Sequence, residues 1–397
     1  MKSQLRYLLG HSFAEGTFGA EWLEAWAGRL RKAGVPVDLI NIGMDVQGRR
    51  LSIPELDRRW HRGDSALMEL YERITDRIVG YDVLINAGAL NLHPAFLSQL
   101  PVTTVLRFND GPESNQYAQP VATAHDVCCP GNIAEIEDYR SWGVRHVYWA
   151  PTGFMADDYD PLLTEHDILT KARSVDVALL CERMTSYRRA NVDRFVGAFP
   201  QGVYRGMGWP EGFLPEEERI PLLQRTRVGI NIHNSTGPIN FRTFYLPANG
   251  VLQICDNKSH LGQIFELGKE VVGYDSIDEA IELTRYYLEH EEERRAIAAA
   301  GWRRTLREYN EVAAFDFIRR AVDAYRMAEA PRVGSSTLAK SLQVHVKETK
   351  GRRAAYAIVR PFHWVKNQTV RVALGVGRRL SLYKANFILR AVQRRRG

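Results

Sequence analysis

A segment near the middle of the chain carries polar and basic side chains at a point where an anion could bind. The apolar run 228–232 leads into His233, and a loop of small residues, 234–238, follows it. A helix predicted to begin near residue 240 would carry Arg242 in its first turn. Free N–H groups at a helix start and an adjacent guanidinium together suit a diphosphate. The residues alone are also compatible with an ordinary turn in which Arg242 is a surface cation. The sequence pattern predicts that Arg242 lies outside the core.

Three side chains of the first half could exchange a proton with a substrate. Asp110 directly follows the predicted strand 101–108, and Glu113 lies close behind it. His93 lies in the loop after the predicted strand 82–86. Because ligands of parallel sheets bind at the carboxyl ends of the strands, any of the three could be a general base. We favour Asp110, although its Asn-Asp-Gly-Pro setting is also an ordinary turn sequence.

The sequence lacks the motifs of several other classes of enzyme and binding site. The chain has no G-x-x-x-x-G-K-[ST], and Gly10, Gly16 and Gly19 do not have the spacing of G-x-G-x-x-G. These absences argue against a P-loop NTPase and a nicotinamide enzyme. The four cysteines include no C-x-x-C pair, so we expect reduced, buried thiols rather than disulfides or a zinc site.

Apolar strands separated by amphipathic helices occur in two successive series, which predicts an α/β protein of two doubly wound, Rossmann-like domains that face a cleft. The expected domains are 1–152 and 153–330, with the last helix packing back on the first domain, and 331–397 is an extension. The predicted strands are 6–10, 35–40, 82–86, 101–108 and 146–151, then 175–181, 202–204, 228–232 and 251–255. The predicted helices include 22–34, 66–79, 278–289 and 291–308.

The extension 331–397 is strongly basic. It contains 16 Lys and Arg and one acid, whereas the whole chain has a net charge of +6, so the rest is acidic. Aromatic residues interleaved with these cations suit an anionic membrane surface. A solvated or self-packed extension stays open, and a nucleic-acid arm is disfavoured because no RNA-binding signature is present. With no apolar run of 18 residues, we expect a cytoplasmic protein, held peripherally at the inner face of the cell membrane.

Residues 228–301 resemble the CgeB-like (spore maturation) branch of the group-1 glycosyltransferases, which have the GT-B fold. The family pattern runs roughly N-I-H, R-x-F-E-x-x-A-x-G, F-E-x-G-K-E-V-V and Y-Y-L-x-H-x-x-x-R-x-x-I-A-x-x-G. Matching residues are Asn231, Ile232, His233, Asn240, Arg242, Phe244, Ala248, Gly250, Phe265, Glu266, Gly268, Lys269, Glu270, Tyr286, Tyr287, His290, Arg294, Ile297, Ala298 and Gly301. Gly206 and Trp209 are similar to a family G-x-G-W, whereas 331–397 lies outside the resemblance.

The resemblance implies transfer of a sugar from a nucleotide-sugar donor, without a metal or a further cofactor, to a glycan or a lipid-linked acceptor in cell-surface polysaccharide synthesis. The second domain would bind the donor and the first the acceptor. Alternatives to donor binding stay open for three residues. Lys269 could lie in a solvated turn, His233 could make only a strand-end hydrogen bond, and Trp209 could serve only in packing. The donor-binding residues would be Gly206, Trp209, Asn231, His233, Asn240, Arg242, Thr243, Phe244, Tyr245, Glu266 and Lys269.

One residue departs from the family pattern. Tyr245 stands where the family has a glutamate that binds the nucleotide ribose, and a phenol cannot accept two hydrogen bonds as a carboxylate does. We expect Tyr245 to point into the cleft and to alter donor recognition. An inactive scaffold and a nucleotide-sugar 2-epimerase remain alternatives, and retention or inversion stays open. The D-x-D at 158–160 could hold a metal, but its position favours a linker.

Overall fold

The structure is a computed structural model that describes residues 4–88, 90–234, 237 and 240–329. Within them lie two five-stranded, wholly parallel sheets, which confirms the predicted pair of doubly wound domains. The membrane hypothesis for 331–397 falls outside the described residues. No helix of the described part is long and apolar enough to cross a membrane.

The first sheet has the strand order β2-β1-β3-β4-β5, and helices cover both of its faces. A parallel strand covered on both faces must be apolar throughout, and all six residues of β4 are buried. The elements are β1 (Tyr7–His11), α1 (Phe18–Lys32), β2 (Val37–Asn41), α2 (Ile53–Arg62), α3 (Ser65–Arg77), β3 (Val83–Ala87), α4 (Pro94–Leu97), β4 (Thr103–Phe108), α5 (Asn115–Ala122), β5 (Val127–Pro130) and α6 (Ile136–Ser141).

The second sheet has the order β10-β9-β8-β6-β7. Its centre is β8, whose apolar residues pack with those of β6 and β9 in one core cluster. The elements are α7 (Glu165–Thr170), β6 (Val175–Arg183), α8 (Ser186–Ala198), β7 (Val203–Met207), α9 (Glu216–Arg225), β8 (Thr226–Asn231), α10 (Arg242–Ala248), β9 (Leu252–Cys255), α11 (Lys258–Leu261), β10 (Val272–Gly273), α12 (Ile277–Glu289), α13 (Glu291–Glu308) and α14 (Glu311–Ala328). Short 3₁₀ helices lie at Pro112–Ser114, Ile133–Glu135 and Ala156–Asp158.

The prediction of a strand at 146–151 was wrong. The last strand of the first sheet is β5, and the segment 146–151 pairs with it through a single bridge, between Cys128 and Val147. The strand β5 is short and contains two cysteines and a proline, so it has no run of β-branched residues to mark it.

Helix α14 packs on the first domain. Its residues Phe315 and Ile318 are buried in the same core cluster as Tyr7 and Leu9 of β1. The ring of Phe315 lies edge-on to that of Tyr7, with centroids 5.3 Å apart. The chain therefore crosses between the domains twice, near 152–158 and again near 309–311.

Candidate functional site

A cavity of about 440 Å³ opens at the carboxyl edge of the first sheet, the edge at which ligands of parallel sheets bind. Residues after β1, β3 and β4 form much of its wall, and α14 closes one side. Phe241, the residue before α10, lines it from the second domain. The main lining side chains are Leu9, His11, Ser12, Phe13, Trp22, Leu23, Trp26, Leu90, Arg107, Phe108, Asn109, Asp110, Thr152, Met155, Phe241, Glu311, Phe315 and Ile318.

Asp110 is the one of the three proposed bases that lies in this cavity. It directly follows Asn109 at the end of β4, and both side chains are exposed there. Burial lowers the pKa of Arg50, and the carboxylate of Asp110 opposes that shift, so the two charges are near each other. Asp110 therefore lies in the cavity wall beside a cation, and its role as a base stays a prediction.

His93 and Glu113 do not line the cavity. The Nδ1 atom of His93 accepts the N–H of Ala95 and caps α4, and its ring stacks on Trp60 with centroids 4.8 Å apart. Glu113 is an exposed residue of the 3₁₀ helix that follows Asp110. The structure thus gives His93 a capping role, and it separates both residues from the cavity wall.

His11 is a cavity residue that sequence reasoning missed. It is the last residue of β1, so the signal was a polar side chain at the end of an apolar strand. Burial lowers the pKa of His11, which favours the neutral imidazole. Its Nδ1 atom accepts the N–H of Phe13 at 3.2 Å, and that bond leaves Nε2 as the donor. His11 is therefore placed to donate a hydrogen bond to a ligand rather than to take its proton.

Four of the predicted donor residues meet at the carboxyl end of β8. Asn231 and Asn240 exchange two hydrogen bonds between their amides, at 3.2 and 3.0 Å. The amide oxygen of Asn240 also accepts the backbone N–H of Thr243, and Asn231 accepts Nε of Arg242 at 3.0 Å. These contacts join the end of β8 to the start of α10, as the resemblance implies.

Arg242 is buried, which contradicts the expectation that it lies outside the core. Only 8% of the residue is exposed. Its guanidinium donates to the carbonyls of Leu180 and Ile232 as well as to Asn231. A helix-start arginine is usually exposed, so its burial was not readable from the pattern.

Arg188, in the first turn of α8, is a second buried cation at this place, and sequence reasoning missed it. It donates to the carbonyl of Ile232 at 2.9 Å, the same oxygen that Arg242 contacts. Burial lowers the pKa of Arg188, and the charge of Arg242 lowers it further. The structure thus places two guanidinium groups at the carboxyl edge of the second sheet, where the carboxylate of Asp256 partly offsets their charge.

His233 is paired with Asp256, the residue after β9. The Nδ1 atom of His233 lies 2.6 Å from one carboxylate oxygen, and its backbone N–H donates to the other at 2.8 Å. The carboxylate holds the ring with Nδ1 protonated and Nε2 toward Thr243, 3.4 Å away. The strand-end hydrogen bond left open for His233 is therefore present, and Asp256 was missed.

The expectation that Tyr245 points into the cleft was wrong. Tyr245 and Phe244 are both buried in a core cluster that also contains Phe154, and neither lines the cavity. Burial raises the pKa of Tyr245 to about 12, so its phenol is neutral. The Tyr245 side chain thus contributes to packing rather than to the cavity wall.

Glu266 and Lys269 lie away from this network. They form an ion pair in the exposed turn before β10, at the amino edge of the second sheet. The structure shows the solvated turn that was the alternative for Lys269. Trp209 follows β7 and stacks on Tyr204 with centroids 5.2 Å apart, which favours plain packing of the indole. Gly206, inside β7, donates its backbone N–H to the carbonyl of Gly212.

Two groups of described side chains have metal-ligand types within 4.8 Å of one another: Asp57 with His61 and His93, and His233 with Cys255 and Asp256. The hydrogen bond from Ala95 to Nδ1 of His93 puts the proton on Nε2, the atom that faces Asp57. In the other group, the Cys255 thiol lies 3.9 Å from Oδ1 of Asp256, the carboxylate oxygen that also faces Nδ1 of His233. Both groups therefore form hydrogen-bonded sets in the structure.

The D-x-D carboxylates are also in protein contacts. Asp158 is buried, forms an ion pair with Arg219 at 2.8 Å and accepts the N–H of Met155. Asp160 accepts a hydrogen bond from Gln224. These contacts fit the predicted linker.

The comparisons with known proteins concern the second domain and the fold. Residues 174–318 match a family model described as glycosyl transferase-like. No curated protein sequence matches the chain.

Solved structures share the architecture at low sequence identity. HepE of Anabaena, in complex with UDP, is 12% identical and has a TM-score of 0.54 over 81% of this chain and 100% of that chain. Sucrose-phosphate synthase from Thermosynechococcus elongatus is 12% identical with a TM-score of 0.57 over 82% of this chain and 100% of that chain. A glycosyltransferase from Rickettsia africae is 12% identical, with a TM-score of 0.54 over 81% of this chain and 98% of that chain. The chain therefore has the GT-B fold of two Rossmann-like domains.

Proposed function

We propose that the protein is a glycosyltransferase that moves a sugar from a nucleotide-sugar donor to an acceptor hydroxyl. The observation that carries this proposal is the pair of buried guanidinium groups, Arg188 and Arg242, which share the carbonyl of Ile232 at the end of β8. Two like charges held close together in a buried site are stabilised by an anion between or beside them. A diphosphate at the start of α10 would supply that anion.

The match of residues 174–318 supports the same reading, because it covers β6 to β10 and therefore both arginines. HepE has been crystallised with UDP and with UDP-glucose. Uridine diphosphate sugars are accordingly the first donors to test. We further propose that the protein belongs to the CgeB-like branch and that its reaction needs no metal. Its role would be in cell-surface polysaccharide synthesis at the inner face of the membrane.

In the proposed reaction, the bond between the anomeric carbon and the diphosphate breaks, and a bond to the acceptor oxygen forms. The negative charge that gathers on the leaving diphosphate is stabilised by Arg242 and Arg188. The acceptor hydroxyl must lose its proton, which passes to Asp110 in an inverting reaction or to the leaving phosphate in a retaining one. His11 would orient the acceptor oxygen by donating from Nε2.

The experiment is a thermal-shift screen of the full chain against nucleotide sugars, followed by a measurement of nucleotide release from those that bind. A bound donor should raise Tm, and the absence of any shift would favour the inactive scaffold, for which the buried Tyr245 is the supporting observation. Asp110→Asn should then lower kcat about 10²–10⁴-fold if Asp110 is the base. Glu113→Gln, an exposed neighbour outside the cavity, is the matched control. An unchanged kcat in Asp110→Asn would assign the proton to the leaving phosphate.

A further inference from the structure

The interior of the cavity in the first domain is dominated by aromatic side chains. Trp22 and Trp26 lie one helical turn apart on α1, and both are half-buried with part of the indole in the cavity. Phe315 of α14 lies against Trp26, with centroids 6.0 Å apart. Aliphatic and further aromatic side chains complete this wall: Leu9, Phe13, Leu23, Leu90, Phe108, Met155, Phe241 and Ile318.

The charged groups deep in the wall are in part engaged by the protein. Arg107 is buried and donates to the carbonyls of Cys129 and Pro151. One carboxylate oxygen of Glu311 accepts Nε of Arg29 at 2.7 Å, whereas the other has no hydrogen-bond partner among the described residues. That oxygen is a polar acceptor left to a ligand in a wall that is otherwise mostly apolar.

Other polar groups of the wall lie toward the opening. Asp110 and Asn109 are exposed after the end of β4, and His11, the last residue of β1, has Nε2 as its donor atom. The cavity thus has a mixed mouth, where the exposed rings of Phe13 and Phe241 lie with these polar groups, and a largely apolar interior. A ligand that fits it has one hydroxyl end and one apolar body.

A free oligosaccharide does not have that character. A sugar carries hydroxyl groups around its ring, and each one loses free energy when it is buried without a hydrogen-bond partner. The two indoles could stack on one face of a sugar, but its polar edges would meet Leu23, Ile318 and Phe315. An apolar or aromatic body instead gains free energy against the same wall.

We propose that the cavity binds the apolar part of the acceptor, so that the acceptor is an alcohol with an isoprenoid or aromatic body whose hydroxyl lies beside Asp110. This inference rests on the proposed glycosyl transfer and names its acceptor class. The volume of about 440 Å³ lies in the range of small-molecule sites, so it would hold a compact aglycone or the first units of a longer chain.

The experiment uses the full chain with a nucleotide sugar that has been shown to bind, and it measures nucleotide release. Two arms distinguish the sources of the apolar body: farnesol as an isoprenoid alcohol and 4-methylumbelliferone as an aromatic one. A third arm uses an oligosaccharide such as maltotriose. We expect at least one alcohol to raise the release rate tenfold or more, and maltotriose to leave it near the rate without acceptor.

The variant Trp22→Ala should raise the KM for the active alcohol about tenfold and leave the Kd of the nucleotide sugar unchanged. Phe18→Ala is the matched control, because Phe18 begins the same helix, is 68% exposed and does not line the cavity. If maltotriose stimulates release and neither alcohol does, the acceptor class is wrong while the transfer proposal stands. If no nucleotide sugar binds at all, the transfer proposal fails, and the acceptor class fails with it.

Discussion

Arg242 is a residue whose contacts tie the binding network to the stability of the fold. Its guanidinium supplies donors to three protein oxygens, on Asn231, Leu180 and Ile232. Arg242→Ala should therefore lower the free energy of unfolding by about 1–3 kcal/mol, because buried acceptors lose their donor. Urea denaturation of the unliganded protein measures this change.

The control for that prediction is Arg189→Ala, on the neighbouring helix α8. Arg189 is 51% exposed and pairs with Asp193 at 3.8 Å, so its loss should change the stability by less than about 1 kcal/mol. Equal stabilities for the two variants would show that the contacts of Arg242 add nothing to the fold. The role of Arg242 would then be confined to the ligand.

Glu135, the last residue of the 3₁₀ helix after β5, is a buried carboxyl group, and it should make the free energy of unfolding depend on pH. Both of its oxygens lack a partner among the described residues. Burial, and then the carboxylates of Asp138, Glu113 and Asp110, raise its pKa to about 8 from an ordinary 4.5. Between these two values the unfolded chain releases a proton that the folded protein keeps, so stability falls as the pH rises.

We expect the slope from this group to approach about 1.4 kcal/mol per pH unit between pH 5 and 8. Glu135→Gln should remove this slope. The stability of the variant relative to the parent should therefore increase as the pH rises from 5 to 8, and the difference should stay constant above pH 8. Urea denaturation at several pH values measures the slope. Glu137→Gln, at an exposed position two residues on, should keep the parent slope. A parent protein whose stability is independent of pH over this range would refute the prediction.

At the scale of elements, Gly237, which follows β8, lies close to the turn after β5 across the domain boundary. Gly237 has a φ of +82°, and a Cβ atom there would lie 2.0 Å from Oδ1 of Asn132 and 2.8 Å from Cβ of Ala134. Gly237→Ala should therefore push the two domains apart at the cleft. We expect kcat/KM to fall about 10²-fold, since displacements of about 1 Å in a reacting pair can cost that much.

Gly268→Ala is the matched control for this prediction. Gly268 has a φ of +75° but nothing within 4 Å of an added Cβ, so its variant carries the backbone strain without the collision. Each alanine should cost about 1–2 kcal/mol of stability through its left-handed backbone. The loss of kcat/KM should appear in Gly237→Ala alone. Equal kinetics for the two variants would exclude the domain contact as the cause.

Long apolar runs were the elements that the sequence revealed well. The strands β6, β8 and β9 were predicted within a few residues, because their buried central parts are apolar runs, as expected of parallel strands covered on both faces. The four-residue strand β5 was missed, since it is too short to show a pattern. At the site, the residues joining β8 to α10 were found. Arg188 and Asp256 join them only through packing and strand pairing distant in sequence, and the place of His11 in the cavity of the first domain likewise depends on the tertiary fold.

At the scale of the whole molecule, the two crossings between the domains lie side by side. The N–H of Phe154, on the first crossing, donates to the carbonyl of Tyr309, on the second. Arg29 of α1 forms ion pairs with Glu311 at 2.7 Å and with Asp157 at 3.7 Å, so it holds both crossings. Because the two crossing segments contact each other at this point, we expect any opening of the cleft to be a rotation of one domain about these segments.

The basic extension 331–397 is the part of the chain that would hold this molecule at its acceptor. It carries 16 Lys and Arg against one acid, interleaved with aromatic residues such as Trp364 and Phe387. Each cation near an anionic membrane is worth about 1 kcal/mol, so a third of them would suffice for attachment. An apolar alcohol as acceptor gives such attachment a reason, because an acceptor of that kind collects in membranes.

We predict that the full chain sediments with vesicles containing anionic phosphatidylserine at low salt and is released at high salt, because mobile ions screen surface charges. Neutral phosphatidylcholine vesicles should leave it in the supernatant. A chain that ends at Ala330 should ignore both kinds of vesicle yet keep its nucleotide-sugar affinity, since both sheets and both arginines lie within residues 4–329. If the full chain stays in the supernatant with anionic vesicles at low salt, the membrane role is wrong, and the extension must be assigned to packing or to a different partner.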